Sequence, residues 1–217
     1  MIIAGIDEAG RGPVVGPMVI AIASIEKKSE DSLIELGVKD SKLLSPRQRN
    51  IFAPKIRKMV KEFSFAMISP KEIDDLRDRK SLNEIEAMRI GELLNGLKTK
   101  PDKAYVDSPD VLAKNFAKRI HNYLDFECHI VSEHKADLNY PIVSAASILA
   151  KTVRDKEIKK LEKVHGKIGS GYSHDPDTID FLNKWLNEKN SLPEFSRKSW
   201  ETSKTILDKK FQKKLFE

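Results

Sequence analysis

Residues 1–20, MIIAGIDEAGRGPVVGPMVI, decide how the rest of the chain is read. An apolar run (Ile2, Ile3, Ile6) ends in two adjacent acids, Asp7 and Glu8. Gly10-Arg11-Gly12-Pro13 and Gly16-Pro17 follow, and then a second apolar run begins. The order is strand, tight glycine turn, strand. A carboxylate where a buried strand runs out is costly unless something pairs with it. A hard divalent cation, which takes oxygen ligands, is the natural partner. On this stretch alone, a solvated loop with incidental acids is an equal alternative.

Working outward, residues 17–25 (PMVIAIASI) read as a buried second strand, and FSFAMIS (63–69) as a third. Between them Ser45-Pro46-Arg47-Gln48 starts a helix running to about Lys61: Ser45 caps, Pro46 suits the first turn and Gln48 completes a capping box. Ser69-Pro70 and Ser81-Leu82 repeat the cap, and the second helix sets Ile90, Leu93, Leu94 and Leu97 on one face. AYVD (104–107) is a short strand ending in an acid. Ser108-Pro109 is read as opening a helix to about Tyr123, and FECHIVS (126–132) as the fifth strand. A long helix spans about Pro141 to His165. Its small apolar first half should pack closely on the sheet, and its charged second half should project into solvent. KIGSGYSHDP is a loop, Asp175-Pro176 caps another helix, and a basic helix follows Trp200. The expected fold class is α/β, a mixed five-stranded sheet flanked by helices with a C-terminal helical extension. The expected division is a catalytic domain over 1–175 and a helical region over 176–217.

The chain has 217 residues, 40% of them hydrophobic, enough for one large domain with a helical appendage. The net charge of +6 tilts expectation towards nucleic acid or another polyanion. The single cysteine, Cys128, excludes an internal disulfide and suits a reducing compartment. It reads as a core strand residue. With no signal peptide and no apolar run long enough for a bilayer, a cytoplasmic protein without a membrane partner is expected. The five histidines lack ligand spacing, so a structural zinc site is not expected.

The acids fall at strand ends: Asp7 and Glu8 after the first, Asp107 after the fourth, and Asp137 in the loop after the fifth. Carboxyl ends of adjacent strands commonly converge on one crevice. Four carboxylates repel one another, and two divalent cations would cancel their charge. That is the arrangement for two-metal phosphodiester cleavage, one ion activating water and the other stabilising the leaving oxygen. Oxygen ligands favour magnesium or manganese.

Taken together, GIDEAGRGPVVGP (5–17), DSKLLSPRQR (40–49), YVDSPD (105–110), HKADLNYPIVSAASILAKTVRD (134–155), GSGYSHDP (169–176) and RKSW (197–200) make the chain resemble ribonuclease HII, most similarly its archaeal members. The resemblance implies a ribonuclease H-like fold. It implies an endonuclease that cleaves the RNA strand of RNA–DNA hybrids and duplex DNA 5′ of embedded ribonucleotides, giving 5′-phosphate and 3′-hydroxyl ends. A role in replication and repair goes with that. It also implies that Asp7, Glu8, Asp107 and Asp137 bind two Mg2+ or Mn2+ ions, with Asp7 bridging, and that the protein is a monomer.

By the same resemblance Gly10, Arg11 and Gly12 grip the ribonucleotide at the RNA-to-DNA junction, since glycines let a backbone approach a sugar and bond its 2′-hydroxyl. Arg11 alternatively serves as a phosphate contact or a buried ion pair. Tyr172 stands where the family stacks a tyrosine on the following deoxyribose; its alternative is a plug at the core edge. Ser173-His174 departs from the usual Pro-Ser, and His174 is expected to be exposed. Lys42, Lys151 and Arg154 match positions near the nucleic-acid backbone. The basic segment Lys204, Lys209, Lys210, Lys213 and Lys214 either touches phosphates or is a solvated face. Residues 209–217, KKFQKKLFE, loosely resemble a tail that binds a sliding clamp. Two rival readings are another nuclease of the same fold, ribonuclease HI or HIII, and a duplex-binding protein without catalysis.

Overall fold

The computed structural model describes residues 1–38 and 44–216, with side chains to residue 210. By spatial grouping the chain forms two compact units: residues 1–9, 19–67 and 81–153 make one, and residues 10–18, 68–80 and 154–217 the other. The expected division at residue 175 follows the sequence, whereas this grouping follows proximity.

The first unit holds the sheet. β1 (Ile2–Ala9), β2 (Met18–Glu26), β3 (Glu62–Ile68), β4 (Lys103–Asp107) and β5 (His129–Glu133) lie in the order β3-β2-β1-β4-β5. β1 is antiparallel to β2 and parallel to β4, and β4 is parallel to β5, so the sheet is mixed and five-stranded as expected. The hydrophobic run of β2 is buried throughout. A strand covered on both faces loses the apolar–polar alternation, which is why this stretch reads as continuous.

Helices α1 (Asp31–Leu36), α2 (Pro46–Met59), α4 (Leu82–Gly96), α5 (Ala113–His121) and α6 (Ala136–Asn139) also belong here. The capping box at Ser45 and Gln48 forms as expected, and Ser81 caps α4 by accepting from the Glu84 N–H. α1 falls in a stretch that reads as merely polar. Its one fully buried side chain, Leu33, is too little for a periodicity to register.

Two boundaries differ from expectation. α5 starts at Ala113 and not at Ser108-Pro109, because residues 108–112 are held as a loop by Asp110. That carboxylate accepts from Arg119 Nε at 3.0 Å and from the Asn83 amide. β5 begins at His129, so Cys128 lies just ahead of the strand; it is buried, which pushes its thiol up to about 11.

α7 (Pro141–His165) contributes its first half to the first unit. Ile142, Val143, Ala145, Ala146, Ile148, Leu149 and Ala150 are fully buried there. The approach to β1 is so close that a Cβ added at Gly5 would fall 2.3 Å from the Ile142 carbonyl carbon.

The second unit contains α3 (Pro70–Arg77), the second half of α7, α8 (Pro176–Lys189) and α9 (Glu201–Phe216) around a core of Val14, Val15, Ile168, Leu182, Leu186, Leu192 and Ile206. The charged half of α7 does not simply project into solvent. Ile158 is buried, and Leu161 packs on this core. Two apolar side chains among lysines and glutamates suffice to anchor one face. No helix among the described residues is long and apolar enough to cross a membrane.

Gly5→Ala should destabilise the protein by about 1–3 kcal/mol or prevent folding, because backbone and not a flexible side chain occupies the space. A thermal melt reads this as a drop of roughly 2–4 °C per kcal/mol; an unchanged midpoint would show that α7 can move away at no cost.

Candidate active site

Parallel register aligns the first acids. Ile6 faces Val106 across β1 and β4, and one residue further along each strand come Asp7 and Asp107. Asp7 is buried at 6% exposure, while Glu8 and Asp107 are half-buried. Burial first, then the charges of Glu8 and Asp107, hold the Asp7 carboxyl well above the usual carboxylate range. The neighbouring Ser147 hydroxyl and the Lys151 ammonium, both on α7, act the other way. The Asp7 side chain also accepts from the Glu8 N–H at 2.9 Å.

Asp107 accepts the Ala136 N–H at 3.1 Å, which aims it at the first turn of α6. Asp137 is in that turn and 98% hidden, in a short helix where a loop was expected. Lys135, which precedes α6, adopts φ 57° and ψ 38°. A left-handed conformation costs a residue with a Cβ roughly 1–2 kcal/mol, and here it reverses the chain so that Asp137 follows β5 directly. His134 braces the loop beyond Asp107, its ring nitrogens lying 3.3 Å from the Ser108 carbonyl and 3.2 Å from that of Val111. These supports escaped the sequence reading, for which HKAD was only a loop.

Asp7, Glu8 and Asp107 stand at neighbouring strand ends and Asp137 in the helix turn that bonds Asp107, and carboxylate oxygens are donors of the kind a hard cation takes. Burial first, and then repulsion from Glu8 and Asp107, raise the Asp7 carboxyl, and a divalent cation beside these oxygens would offset both, so they fit such an ion. Among the described residues no three His, Cys, Asp or Glu side chains are gathered tightly enough to grip an ion unaided. Magnesium, which keeps several of its waters, does not need such a cage.

The second unit carries the glycine turn and the tyrosine loop. Gly10 has φ +86°, and a Cβ there would meet Arg154 Nε at 2.4 Å and the Pro17 carbonyl at 2.7 Å, so only glycine fits. Gly12 is exposed and Arg11 half-buried. The Gly171 carbonyl accepts from Val14 and Val15 N–H at 2.8 and 3.1 Å, and the Gly171 N–H donates to the Thr178 hydroxyl at 2.9 Å. This zips the two loops together, leaving Tyr172 half-buried with its Cε1 3.6 Å from where a Gly12 Cβ would be. His174 is exposed, as expected, and its ring lies 5.3 Å from that of Tyr172.

The other basic residues expected near nucleic acid have varied surroundings. Arg154 is buried at 7% exposure. Its guanidinium donates to the carbonyls of Ser170 at 3.3 Å and Val15 at 3.4 Å and lies 5.6 Å from the Tyr172 ring centre. It braces the two loops from beneath, where the sequence suggested a nucleic-acid contact. Lys151 is half-buried beside Asp7. Lys42 lies outside the described residues. Lys204 and Lys209 are exposed, but Lys210 donates to the Leu186 carbonyl and to Asn190 Oδ1, tying α9 to α8. The side chains of Lys213 and Lys214 lie outside the described residues.

Arg197 and Trp200 also escaped the sequence reading. Arg197 is fully buried, and its guanidinium donates to the carbonyls of Gly10, Arg11 (2.8 Å) and Gly16 (3.1 and 3.2 Å). The Trp200 indole donates to the Gly12 carbonyl at 3.0 Å. The RKSW motif was visible in the sequence, but nothing local linked it to a turn almost two hundred residues away.

The family model "Ribonuclease HII" matches residues 4–203. The ribonuclease HII of Pyrococcus abyssi is 47% identical over 96% of this chain and 92% of its own. Among solved structures, ribonuclease H2 from Pyrococcus horikoshii OT3 superposes with a TM-score of 0.92 at 45% identity, covering 96% of this chain and 98% of that one. The PCNA:RNase HII complex from Archaeoglobus fulgidus contains a chain with a TM-score of 0.85 at 40% identity, covering 93% and 96%. The sheet order, the acids at its strand ends and these matches agree: the chain belongs to the ribonuclease HII family, endonucleases that cleave RNA in RNA–DNA hybrids.

Proposed function

We propose that, beyond cleaving hybrids, this enzyme incises duplex DNA on the 5′ side of a single embedded ribonucleotide, leaving 5′-phosphate and 3′-hydroxyl ends. The observation that carries this reading is the packing of Gly12 beside Tyr172 in one bonded pair of loops. A glycine turn lets backbone reach a 2′-hydroxyl, the group that separates RNA from DNA. A flat ring next to it suits a deoxyribose, which lacks that hydroxyl. Gly10, Arg11 and Gly12 therefore read the ribonucleotide, and Tyr172 reads the deoxynucleotide after it.

The family depends on divalent metal. Two Mg2+ or Mn2+ ions held by Asp7, Glu8, Asp107 and Asp137 would supply Lewis-acid polarisation of the phosphate and an activated water. The chain's own contribution is orientation. β1 and β4 hold Asp7 and Asp107 at one level, and the Ala136 N–H keeps Asp107 turned towards α6. Lys151 places a positive charge near Asp7 that favours its ionised form and suits an incoming phosphate; Lys42 is assigned to the nucleic-acid backbone. All these residues lie within 1–175, the span expected to carry the chemistry.

The reading is tested with duplex DNA bearing one ribonucleotide, incubated with EDTA, magnesium or manganese, and its ends mapped. Metal-dependent cleavage 5′ of the ribonucleotide is expected. Cleavage of long hybrids alone would remove the roles given to the turn and to Tyr172. Binding without cleavage under either metal would favour a duplex-binding protein on the same fold.

Asp7→Asn should lower turnover on the order of a thousandfold, the several kcal/mol a metal ligand supplies. In the metal-free protein the raised Asp7 carboxyl means the folded state keeps a proton that the unfolded chain has lost. Stability therefore falls as pH rises above the ordinary carboxylate value. The metal-free variant should melt above wild type at pH 8 and lose the stabilisation that added metal gives wild type; a lower midpoint or a retained metal response would contradict the assignment.

A sliding clamp is the proposed protein partner, since a 40%-identical relative was solved as a complex with PCNA and residues 209–217 read KKFQKKLFE. A truncation ending at Asp208 should lose clamp affinity in a calorimetric titration; unchanged affinity would remove this assignment.

A further inference from the structure

The Gly10-Arg11-Gly12 turn has no regular secondary structure to hold it, yet each of its three carbonyls has a partner. Arg197 donates to those of Gly10 and Arg11, and Trp200 donates to that of Gly12. Both donors come from the four residues RKSW, and both are themselves held. The Trp200 ring lies under two guanidiniums, 4.7 Å from that of Arg197 and 4.9 Å from that of Arg77 on α3. Asp74, also on α3, accepts from the N–H groups of Lys198 (2.7 Å) and Ser199 (3.0 Å) and from the Ser199 hydroxyl (2.6 Å). The Ser203 hydroxyl donates to the Arg197 carbonyl at 2.7 Å. A fully buried guanidinium is expensive unless its donors are used, and here a rigid fork spans several carbonyls at once, a geometry lysine cannot reproduce.

We infer that Arg197 and Trp200 are positioning residues for ribose discrimination: they hold the turn with its carbonyls towards the protein, so that its backbone meets a nucleotide as a donor. The 2′-hydroxyl and phosphate oxygens then act as acceptors. The inference rests on the proposed reading of the ribonucleotide by this turn and extends it to residues that touch no substrate. It also places the specificity device across three segments, α3, residues 197–200 and the turn, all within the second unit.

The test uses the full chain with Arg197→Lys and Trp200→Phe, each checked by circular dichroism and melting. Phenylalanine keeps an aromatic ring for the two guanidiniums and deletes the indole N–H along with the smaller of the two fused rings. Binding in EDTA is compared for duplex DNA with one ribonucleotide and for the same duplex in all-DNA form, and kcat and KM on the ribonucleotide duplex are measured with magnesium. Trp200→Phe should reduce the ribonucleotide preference about two- to tenfold, the effect of one hydrogen bond, and Arg197→Lys should reduce it further. KM should rise more than kcat falls. Affinity for the all-DNA duplex, set by phosphate contacts, should stay constant. A purely structural role would weaken both duplexes alike. Folded variants with wild-type preference would overturn the inference; should Arg197→Lys fail to fold, Trp200→Phe decides it. A wild-type protein with no ribonucleotide preference would instead overturn the ribose reading beneath it.

Discussion

The contact of α7 with β1 at Gly5 is the constraint on which the catalytic half of the structure depends. A side chain at Gly5 would keep the helix away, and without one the backbones of Ile142 and Val143 come against the strand. Helix and strand then climb together. Two strand residues advance about 6.6 Å, and four helical residues advance about 6 Å. Ser147 therefore comes level with Asp7, and Lys151 follows on the same face one further turn along. The missing side chain at Gly5 is what allows the approach, and the approach is what gives a buried carboxylate its neighbours.

Three of the four acids are held by different means. Asp7 owes its place to the strand ladder and its burial. Asp107 is aimed by a backbone N–H of α6. Asp137 depends on the left-handed turn at Lys135. Beyond Asp107 the chain is pinned by a polar network: Arg119 bonds Asp110 and Glu84, and the Tyr123 hydroxyl donates to Glu84 at 2.6 Å. Carboxylates that repel one another, as Glu8 and Asp107 do Asp7, stay in place only where the scaffold is stiffer than the repulsion. The ties of Asp7 and Asp107 to strands and a helix start supply that stiffness.

The second unit solves a different problem, the ordering of irregular backbone. Its loops satisfy only part of their backbone polar groups with one another, as Val14 and Val15 do with Gly171. Buried arginines satisfy others, Arg154 beneath Gly10 and Tyr172, and Arg197 within the glycine turn. The basic character of the chain is accordingly not all surface for a polyanion; part of it serves as internal scaffolding, as Lys210 does between α9 and α8.

Much was legible in the sequence. Strands follow from apolar runs, three helix starts from serine caps, and the acids from their place at strand ends, because each of these is a local signal. Two features that local signals suggest were moved by distant partners. Asp110, held by Arg119 and Asn83, delays α5 to Ala113, and a helix half that reads as solvated gives Leu161 to the core of the second unit and buries Ile158. Composition and spacing by themselves determined that this chain would build a mixed sheet with carboxylates at its strand ends. Only the tertiary structure decided which basic residues face inward and which segment holds the glycine turn. The Arg197 guanidinium and the Gly10 carbonyl are 187 residues apart, and no periodicity of a strand or helix reaches that far.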